Sequence, residues 1–345
     1  MDVYILNSSF EPVTVIDSFQ SLIWTKRYYT CGDFELYLPA DSALLPYLIP
    51  DNFVKREDDD SVMVIEKLEI QTDIENGDYF IVSGRSLESL LARRIVESQT
   101  IINEADVVQG LKALIEGQIG DGDSDYYRAL AGMTVDDTLE VPYEFITQIT
   151  GTNLLEAVSA ICQRFGIGMR AVIQDGAPVL SFYEGSAVDV VFSPEFDNLR
   201  NSKYTVDTAD LANYAKVLGE GQGTSRIGVG VPLFSPPPTK LARRELYVDA
   251  RDISRNNGDV TTETYIPMLI ERAREKMAEH TVLKSFEAEI APDVCFHYKS
   301  DYNLGDIVTV SNLYGVTATP RIVEMVESWD ETGYTAIPTF DALEV

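Results

Sequence analysis

The sequence predicts an α+β protein that is mainly β, with two antiparallel barrel-like domains and a helix-containing middle domain. Apolar and polar residues alternate between Val3 and Ser83, and helical spacing replaces this alternation at Ser86. Strand-like alternation then returns after Val188. The domain bounds that follow from these changes are 1–100, 101–186 and 187–345.

In the first domain, Leu22 and Trp24 alternate with polar residues, and Phe34 and Leu36 repeat the pattern. A period of two places alternate side chains on one face of a strand, and that face can pack in a core. Asn76-Gly77 lies between two such runs, and this dipeptide readily takes the positive φ angles of a tight hairpin turn. We therefore expect an antiparallel sheet here, curved into a barrel, that contains a hairpin at Gly77.

Helices are predicted after the first sheet, one at the end of the first domain and two in the middle domain. Leu87 and Leu91 are one helical turn apart, and Val107 to Ile115 repeats the helical spacing after a short connection. A third helix is expected from about Thr152 to Phe165. Thr152 is its expected N-cap, and Gly166 is its expected stop.

The last domain is predicted to be a second antiparallel sheet. A hairpin with its turn at Asp175-Gly176 precedes it, and the runs Val191–Arg226 and Tyr302–Phe340 carry Gly, Asn and Asp at their turns. One helix at about 262–280 interrupts the strands, with an apolar stripe on one face and Glu271 on the face expected to meet water. Neither strand-like run contains a cluster of groups suited to chemistry, which favours a structural protein.

Groups that commonly carry catalysis or bind metals are scarce. His280 and His297 are the only two histidines, which removes most metal sites and most Ser-His or Cys-His arrangements. Cys31, Cys162 and Cys295 are far apart without a CxxC pair, so we interpret all three as reduced packing residues. The sequence therefore predicts no catalytic residue, no cofactor and no metal site.

Acidic residues are abundant, and their runs indicate solvated loops. The run Glu57–Asp60 is expected to form an exposed loop, and residues 120–125 an exposed acidic turn. The spacing in the second run is similar to that of a calcium loop, but Tyr126 and Gly132 stand where that loop needs Gly and a carboxylate. Two carboxylates brought together by the fold would still allow a glycosidase site, and the sequence leaves this alternative open.

A glycine-rich segment provides the candidate site residues. Gly219, Gly221 and Gly223 lie between strand patterns and lack the ending of a phosphate-binding loop, so a hairpin loop is predicted. Arg226 follows, and we expect it to pair with a carboxylate across a subunit boundary. These four residues form a candidate subunit-interface loop.

Charge and hydropathy narrow the choice of partners. The 27 basic and 56 acidic residues give a formal net charge of −29, which argues against a protein that wraps nucleic acid. The sequence contains no apolar run long enough for a membrane segment, and its start lacks the features of a signal peptide. We therefore expect it to fold in the cytoplasm.

Four segments in order along the chain carry a family resemblance: FQSLIWTKRYYTCGDFELYLP, VSGRSLESLLARRIV, VFSPEFDNLRNSKYTVDTADLANYAKVLGEGQGTSR and YNLGDIVTVSNLYGVTATPRIVEMVES. On these segments the chain resembles the siphophage tail-protein family typified by ReqiPepy-type phages. That family is related to the baseplate hub proteins that cap the tail tube of many phages.

The resemblance implies a homotrimeric, non-enzymatic hub in the virion, at the tail tip, assembled in the host cytoplasm. Two like domains in each of three copies would give a pseudo-sixfold ring that adapts a sixfold tail tube to threefold tip components. The implied partners are the tail tube protein, the distal tail protein, the tape-measure protein and tip or fibre proteins, with DNA passing without specific binding. The alternatives are a tail-associated cell-wall hydrolase and an adhesin that binds host glycans through exposed aromatic residues such as Trp329.

Overall fold

The computed structural model describes residues 1–72, 77–119, 127–130, 132–255, 260–290 and 295–341. Within these ranges the chain is mainly β, as the sequence predicts, and it contains three α-helices. The first strands are β1 (Val3–Leu6), β2 (Pro12–Ile16), β3 (Ser21–Arg27), β4 (Asp33–Pro39), β5 (Phe53–Arg56), β6 (Val62–Gln71) and β7 (Tyr79–Ser86).

The middle of the chain contains two α-helices and five strands. The elements are a 3₁₀ helix (Leu87–Arg93), β8 (Thr100–Glu104), α1 (Val107–Ile119), β9 (Thr134–Asp136), β10 (Phe145–Ile149), α2 (Leu154–Phe165), β11 (Gly168–Gln174) and β12 (Ala177–Tyr183). The helix predicted from Leu87 is therefore a 3₁₀ helix, because Arg94 is extended and its backbone N–H donates to Leu91 O at 3.1 Å.

The remaining elements include one long helix. They are β13 (Ala187–Phe192), a 3₁₀ turn (Pro194–Phe196), β14 (Leu199–Asp207), β15 (Tyr214–Leu218), a 3₁₀ turn (Gly223–Ser225), β16 (Gly228–Pro232), a 3₁₀ turn (Lys240–Ala242), β17 (Glu245–Asp249), α3 (Thr262–Ala278), β18 (Leu283–Ile290), β19 (Ile307–Ser311), β20 (Thr317–Ala318), β21 (Ile322–Asp330) and β22 (Gly333–Phe340). The long helix α3 matches the inserted helix that the sequence predicts.

Helix α2 shows how local sequence sets its ends. Asn153 is the N-cap, and its side-chain oxygen accepts from the backbone N–H of Leu155 at 3.0 Å and of Glu156 at 3.4 Å. The prediction of Thr152 as the cap is therefore wrong by one residue. The predicted stop is confirmed, since Gly166 has the left-handed conformation with φ of +67°.

One nine-stranded antiparallel sheet joins the two ends of the chain, in the order β2-β1-β5-β6-β7-β4-β3-β21-β22. Strand β21 pairs with β3, and this register places Glu327 opposite Trp24. Within the described residues no pairing links β2 to β22, so the sheet does not close into the barrel expected for the first domain. The β6–β7 hairpin is confirmed, while residues 73–76 of its predicted turn lie outside the described residues, as does the predicted acidic turn at 120–125.

The sequence predicts an antiparallel sheet for the last domain, but the smaller sheets of the structure also contain parallel pairs. β12 pairs with β9, β13 with β19, and β15 with β17 in parallel, because each pair is joined by a long connection rather than by a hairpin. The predicted hairpins β11–β12 and β15–β16 are confirmed. β14 and β18 form a separate antiparallel pair, as do β8 and β10.

The C-terminal hairpin β21–β22 also packs on the core of the last segment. Ile322 and Phe340 belong to a buried cluster with Phe192 and Tyr302. The hairpin therefore hydrogen-bonds to the N-terminal sheet while contributing side chains to the last segment. The three domain bounds drawn from the sequence stay a prediction.

Helix α3 packs by the predicted stripe, with Leu269, Ala273 and Met277 buried. Glu271 contradicts the prediction that it faces water, because it is buried and forms an ion pair with Arg164 of α2. In the described part of the chain, none of the helices combines the length and apolar character needed to cross a bilayer.

Candidate functional site: a buried ion network beside a cleft

Strand β5 ends at Arg56, whose side chain is 0% exposed. Its guanidinium donates to Glu327 Oε2 at 3.0 Å and to the two carboxylate oxygens of Asp58 at 2.9 and 2.7 Å. The same group lies 4.0 Å from the ring centre of Trp329 and 5.3 Å from that of Trp24. Arg56 therefore connects β5 to the C-terminal hairpin by ion pairs and by cation–π contacts.

Asp59 is a second buried carboxylate at this place. It forms ion pairs with Lys26 of β3 and with Lys299, whose Nζ lies 3.1 Å from Oδ2. Asp59 Oδ1 accepts from the backbone N–H of Ser61 at 2.9 Å and from its hydroxyl at 2.6 Å. Lys299 Nζ also lies 3.3 Å from Glu327 Oε1, so it joins Asp59 to the Arg56 group.

The formal charges of this group balance. Three cations face three carboxylates, and the net charge is zero. Buried charges are tolerated in a protein only when they are paired and hydrogen-bonded. We name these residues the ion network: Lys26, Arg56, Asp58, Asp59, Lys299 and Glu327.

The pairing keeps the network charged. Burial by itself would raise the pKa of Asp59, but the charge and hydrogen bond of Lys26 and the bonds from Ser61 hold it well below its ordinary value. Burial opposes ionisation of Asp58 in the same way, and the bond from Arg56 lowers its pKa. These two carboxylates are therefore ionised at neutral pH and have no proton to donate as general acids.

A cleft of about 500 Å³ lies beside the ion network. Its walls come from the N-terminal sheet, from the β11–β12 hairpin and from the segment before β19. Lys26, Asp59 and Lys299 of the ion network line the cleft, together with Glu88 and Arg170. The three parts of the chain thus meet around one cleft.

Glu88 is the unusual group of this cleft. Its side chain is 6% exposed, Oε1 accepts from the backbone N–H of Ala171 at 2.6 Å, and Oε2 has no hydrogen-bond partner among the described residues. Burial raises the pKa of Glu88 above its ordinary value. A protonated carboxyl is one half of a glycosidase site, but Asp58 and Asp59 nearby are engaged by cations and cannot act as a free second carboxylate.

The four candidate residues from the sequence lie together, away from this cleft. Gly219, Gly221 and Gly223 form the loop between β15 and β16, and Gly221 and Gly223 have φ of +110° and +54°. A Cβ at Gly219 would overlap the hydroxyl of Tyr265. That hydroxyl accepts from Glu220 N–H and donates to Ile253 O, so the loop is fixed on α3.

Arg226 has a carboxylate partner within its own chain. Its Nη2 lies 2.6 Å from Asp249 Oδ1, and its Nε donates to Gly219 O at 2.7 Å. The hydrogen bond from Arg251, followed by that from Arg226, lowers the pKa of Asp249 to about 2. The geometry supports a hairpin loop, and the interface role of the four residues stays a prediction.

The histidines and cysteines form no ion pair with the members of the ion network among the described residues. His297 Nδ1 is 3.5 Å from Asp301, and the carbonyl of His280 accepts from Ala212 N–H at 2.8 Å. Cys31 and Cys162 are buried as expected, whereas Cys295 is exposed and is not a packing residue. No cluster of three potential metal ligands occurs among the residues that the structure describes.

Sequence reasoning missed the ion network because it interpreted Glu57–Asp60 as a solvated loop. Asp59 is buried, so that prediction is wrong at this residue. One signal was present in the sequence: Glu327 shares the strand period of Met325 and Trp329, which places a charge on an apolar face. A charge at such a position requires a buried partner of opposite sign.

The fold as a whole is that of phage tail proteins. The chain is 12% identical to the 43 kDa tail protein of prophage MuSo2 from Shewanella oneidensis, with a TM-score of 0.59 over 99% of this chain and 98% of that chain. The tail protein from Neisseria meningitidis MC58 gives the same identity and TM-score, covering 99% and 96%. Prophage tail protein gp18 from Listeria monocytogenes EGD-e gives 12% and 0.54, covering 100% and 96%.

The family follows from the sequence itself. A profile of the siphovirus ReqiPepy6 Gp37-like proteins matches residues 2–340, and the chain belongs to this family. The resemblance seen in the four sequence segments is thereby confirmed. No curated protein sequence matches the chain.

Proposed function

We propose that the protein is a non-enzymatic structural component of the siphophage virion: a homotrimeric hub at the tail tip. The observation that carries this proposal is the whole-length match of its fold to prophage tail proteins, which covers 99% of this chain and 98% of the Shewanella protein. A match over nearly the whole length of both chains supports a shared assembly unit better than a match over one small domain would.

Symmetry supports the trimer. Three copies of two like domains present six near-equivalent edges, which suits an adaptor between a sixfold tube and threefold tip components. The nine-stranded sheet ends in β2 and β22, and neither strand is hydrogen-bonded to a second strand within the described residues, although β18 lies close to β22. Such edges have backbone groups that can pair with another chain. The two like domains are those placed by sequence at 1–100 and 187–345.

Charge supports passage of DNA through the ring without retention. Three chains of −29 carry a formal charge of −87, and an acidic lumen repels phosphates. The partners in this proposal are the tail tube protein above, the distal tail and tape-measure proteins beside it, and tip or fibre proteins below.

Two alternatives are less well supported by the geometry. A cell-wall hydrolase would draw on Glu88, the one group of the cleft whose unpaired carboxyl oxygen and raised pKa suit a general acid. An adhesin would need free aromatic surfaces, but Trp329 packs against Arg56 and, at 5.0 Å between ring centres, against Tyr334. Trp329 is therefore only partly accessible, and its glycan contact stays a prediction.

Light scattering of the purified protein tests the proposal. A mass of about 115 kDa, three times the 38.4 kDa of one chain, is expected at high protein concentration or after addition of tail tube protein. A mass of one chain under both conditions would refute the hub. Incubation with purified cell walls should release no fragments, and release that Glu88→Gln abolishes would establish the hydrolase instead.

A further inference from the structure

The connection between β16 and β17, residues 233–244, differs in charge from the rest of the chain. It contains Lys240, Arg243 and Arg244 and no Asp or Glu, although acidic residues outnumber basic ones by 56 to 27 in the whole chain. We name residues 233–244 the basic loop. Its local charge is therefore opposite to the net charge of the protein.

The basic loop also presents apolar side chains to solvent. Leu241 is 96% exposed and Phe234 is 62% exposed, and Leu233 is exposed beside them. Several large apolar side chains exposed within one short loop mark a site of protein contact more often than chance exposure. Cations and exposed apolar side chains in one loop are typical of a binding surface for an acidic protein.

The loop is held in one shape. Asn213 is buried, its side-chain Nδ2 donates to Ala242 O at 2.7 Å, and its Oδ1 accepts from Arg244 N–H at 2.8 Å. Its own backbone N–H donates to Arg244 O at 3.0 Å, and its carbonyl accepts from Leu233 N–H at 3.0 Å. Both ends of the loop are thus fixed to one residue, which lowers the entropy that binding would cost.

Two of the three cations of the basic loop form no ion pair among the described residues. Arg243 donates to Glu245 at 2.6 Å and stacks on Tyr214 at 3.4 Å from the ring centre, so its contacts stabilise the loop. Arg244 donates to Thr208, and neither Arg244 nor Lys240 forms an ion pair with any described carboxylate. Lys240 and Arg244 can therefore pair with carboxylates from outside the chain.

We propose that the basic loop binds an acidic surface on a second copy of this chain; this inference rests on the trimer of the proposed function. The second copy is the occupant favoured by charge complementarity, because every neighbour in a homo-oligomer carries a net charge of −29. Opposite charges at the contact reduce the repulsion between like-charged chains and fix their register. Leu241 and Phe234 then supply the desolvated centre of the contact.

Charge and apolar variants test the inference by light scattering. Lys240→Glu/Arg244→Glu and Leu241→Asp should each require at least about tenfold more protein to reach the trimer mass. Arg243 is left unchanged because it supports the loop. Ile70→Asp is the control, since Ile70 is 53% exposed on β6 and its sequence neighbours Glu69 and Gln71 are polar.

Ile70→Asp should assemble like the natural protein, and circular dichroism should show that all variants are folded. If the natural protein forms trimers and the basic-loop variants do so equally well, the inference is overturned while the proposed trimeric hub still stands. An equal loss in Ile70→Asp would also overturn it, because added negative charge alone would then explain the effect. A natural protein that stays monomeric with and without tail tube protein overturns both.

Carbodiimide cross-linking gives a second, direct measurement. Lys240 is the only lysine in the basic loop, so its amide links to Asp or Glu identify the receiving surface by mass spectrometry. Mixed trimers of ¹⁴N and ¹⁵N chains separate links between chains from links within one chain. Links between chains are expected, and their absence in trimers that cross-link elsewhere would overturn the inference.

Discussion

Replacement of Glu327 by Gln removes one charge of the ion network and preserves the shape of the side chain. Three cations would then face two carboxylates, and Arg56 would keep only Asp58 as an ion-pair partner. Removing one partner of a buried ion pair costs about 3–5 kcal/mol, because the remaining charge stays buried without compensation. We expect the free energy of unfolding of Glu327→Gln to fall by that amount.

Tryptophan fluorescence during urea unfolding is a local assay for this change. Trp24 and Trp329 are the only two tryptophans of the chain, and both rings lie against Arg56. Far-UV circular dichroism should be followed in parallel, because a chain with several cores need not unfold in one step. The fluorescence transition should shift to lower urea in the variant.

Glu324→Gln is the matched control. Glu324 lies on the same strand and pairs with Arg27 at 2.7 Å, but both side chains are partly exposed. Such a pair contributes about 0–1 kcal/mol. Equal losses of stability in Glu324→Gln and Glu327→Gln would refute the reasoning. The double variant Arg56→Met/Glu327→Leu leaves no unbalanced charge, so it should be more stable than Glu327→Gln. A double variant that is no more stable would also refute the reasoning.

Three further outcomes are expected. Burial raises the pKa of Glu88 in the folded state, so the natural protein loses stability as the pH rises above the ordinary pKa of a Glu side chain. The stability of Glu88→Gln relative to the natural protein should therefore grow between about pH 5 and pH 8. A difference in urea midpoints that stays constant over this pH range would contradict this. Asn153→Ala should cost about 1 kcal/mol by loss of the α2 cap, whereas Thr152→Ala should cost clearly less in the same urea titration. Gly219→Ala should lower the free energy of unfolding by about 1–3 kcal/mol, because the added methyl group overlaps the hydroxyl of Tyr265. Adding Tyr265→Phe removes that hydroxyl and should recover part of the lost stability. Losses that simply add up in the double variant would exclude the overlap.

The sequence predicts those elements whose signals are local. The hairpin turn at Asp175-Gly176 needs two residues with positive φ, and both have it, with φ of +49° and +81°. The end of α2 at Gly166 and the apolar stripe of α3 are equally local, and both were predicted correctly. In each case the determining residues lie within a few positions of one another.

Pairings between distant segments could not be predicted in this way. Glu324 of β21 pairs with Arg27 of β3, almost the full chain length away, and no local pattern specifies that partner. The burial of Asp59 and Glu271 has the same origin, because their cations come from β3 and α2. A charged residue looks exposed in a sequence until the fold supplies its counter-ion.

Salt dependence separates general repulsion from loss of a specific contact in the proposed trimer. The ion network is neutral, so the excess of 29 negative charges lies outside it and opposes association of like chains. Raising the salt from about 0.1 to 1 M shortens the screening length from about 10 to 3 Å, which should favour assembly of the natural protein by weakening this repulsion. Leu241→Asp adds only one charge but removes the apolar centre of the basic loop, so salt should leave most of its defect in place. A variant that regains the trimer mass in high salt would show that its defect was repulsion, and the apolar contact assigned to Leu241 would then be wrong.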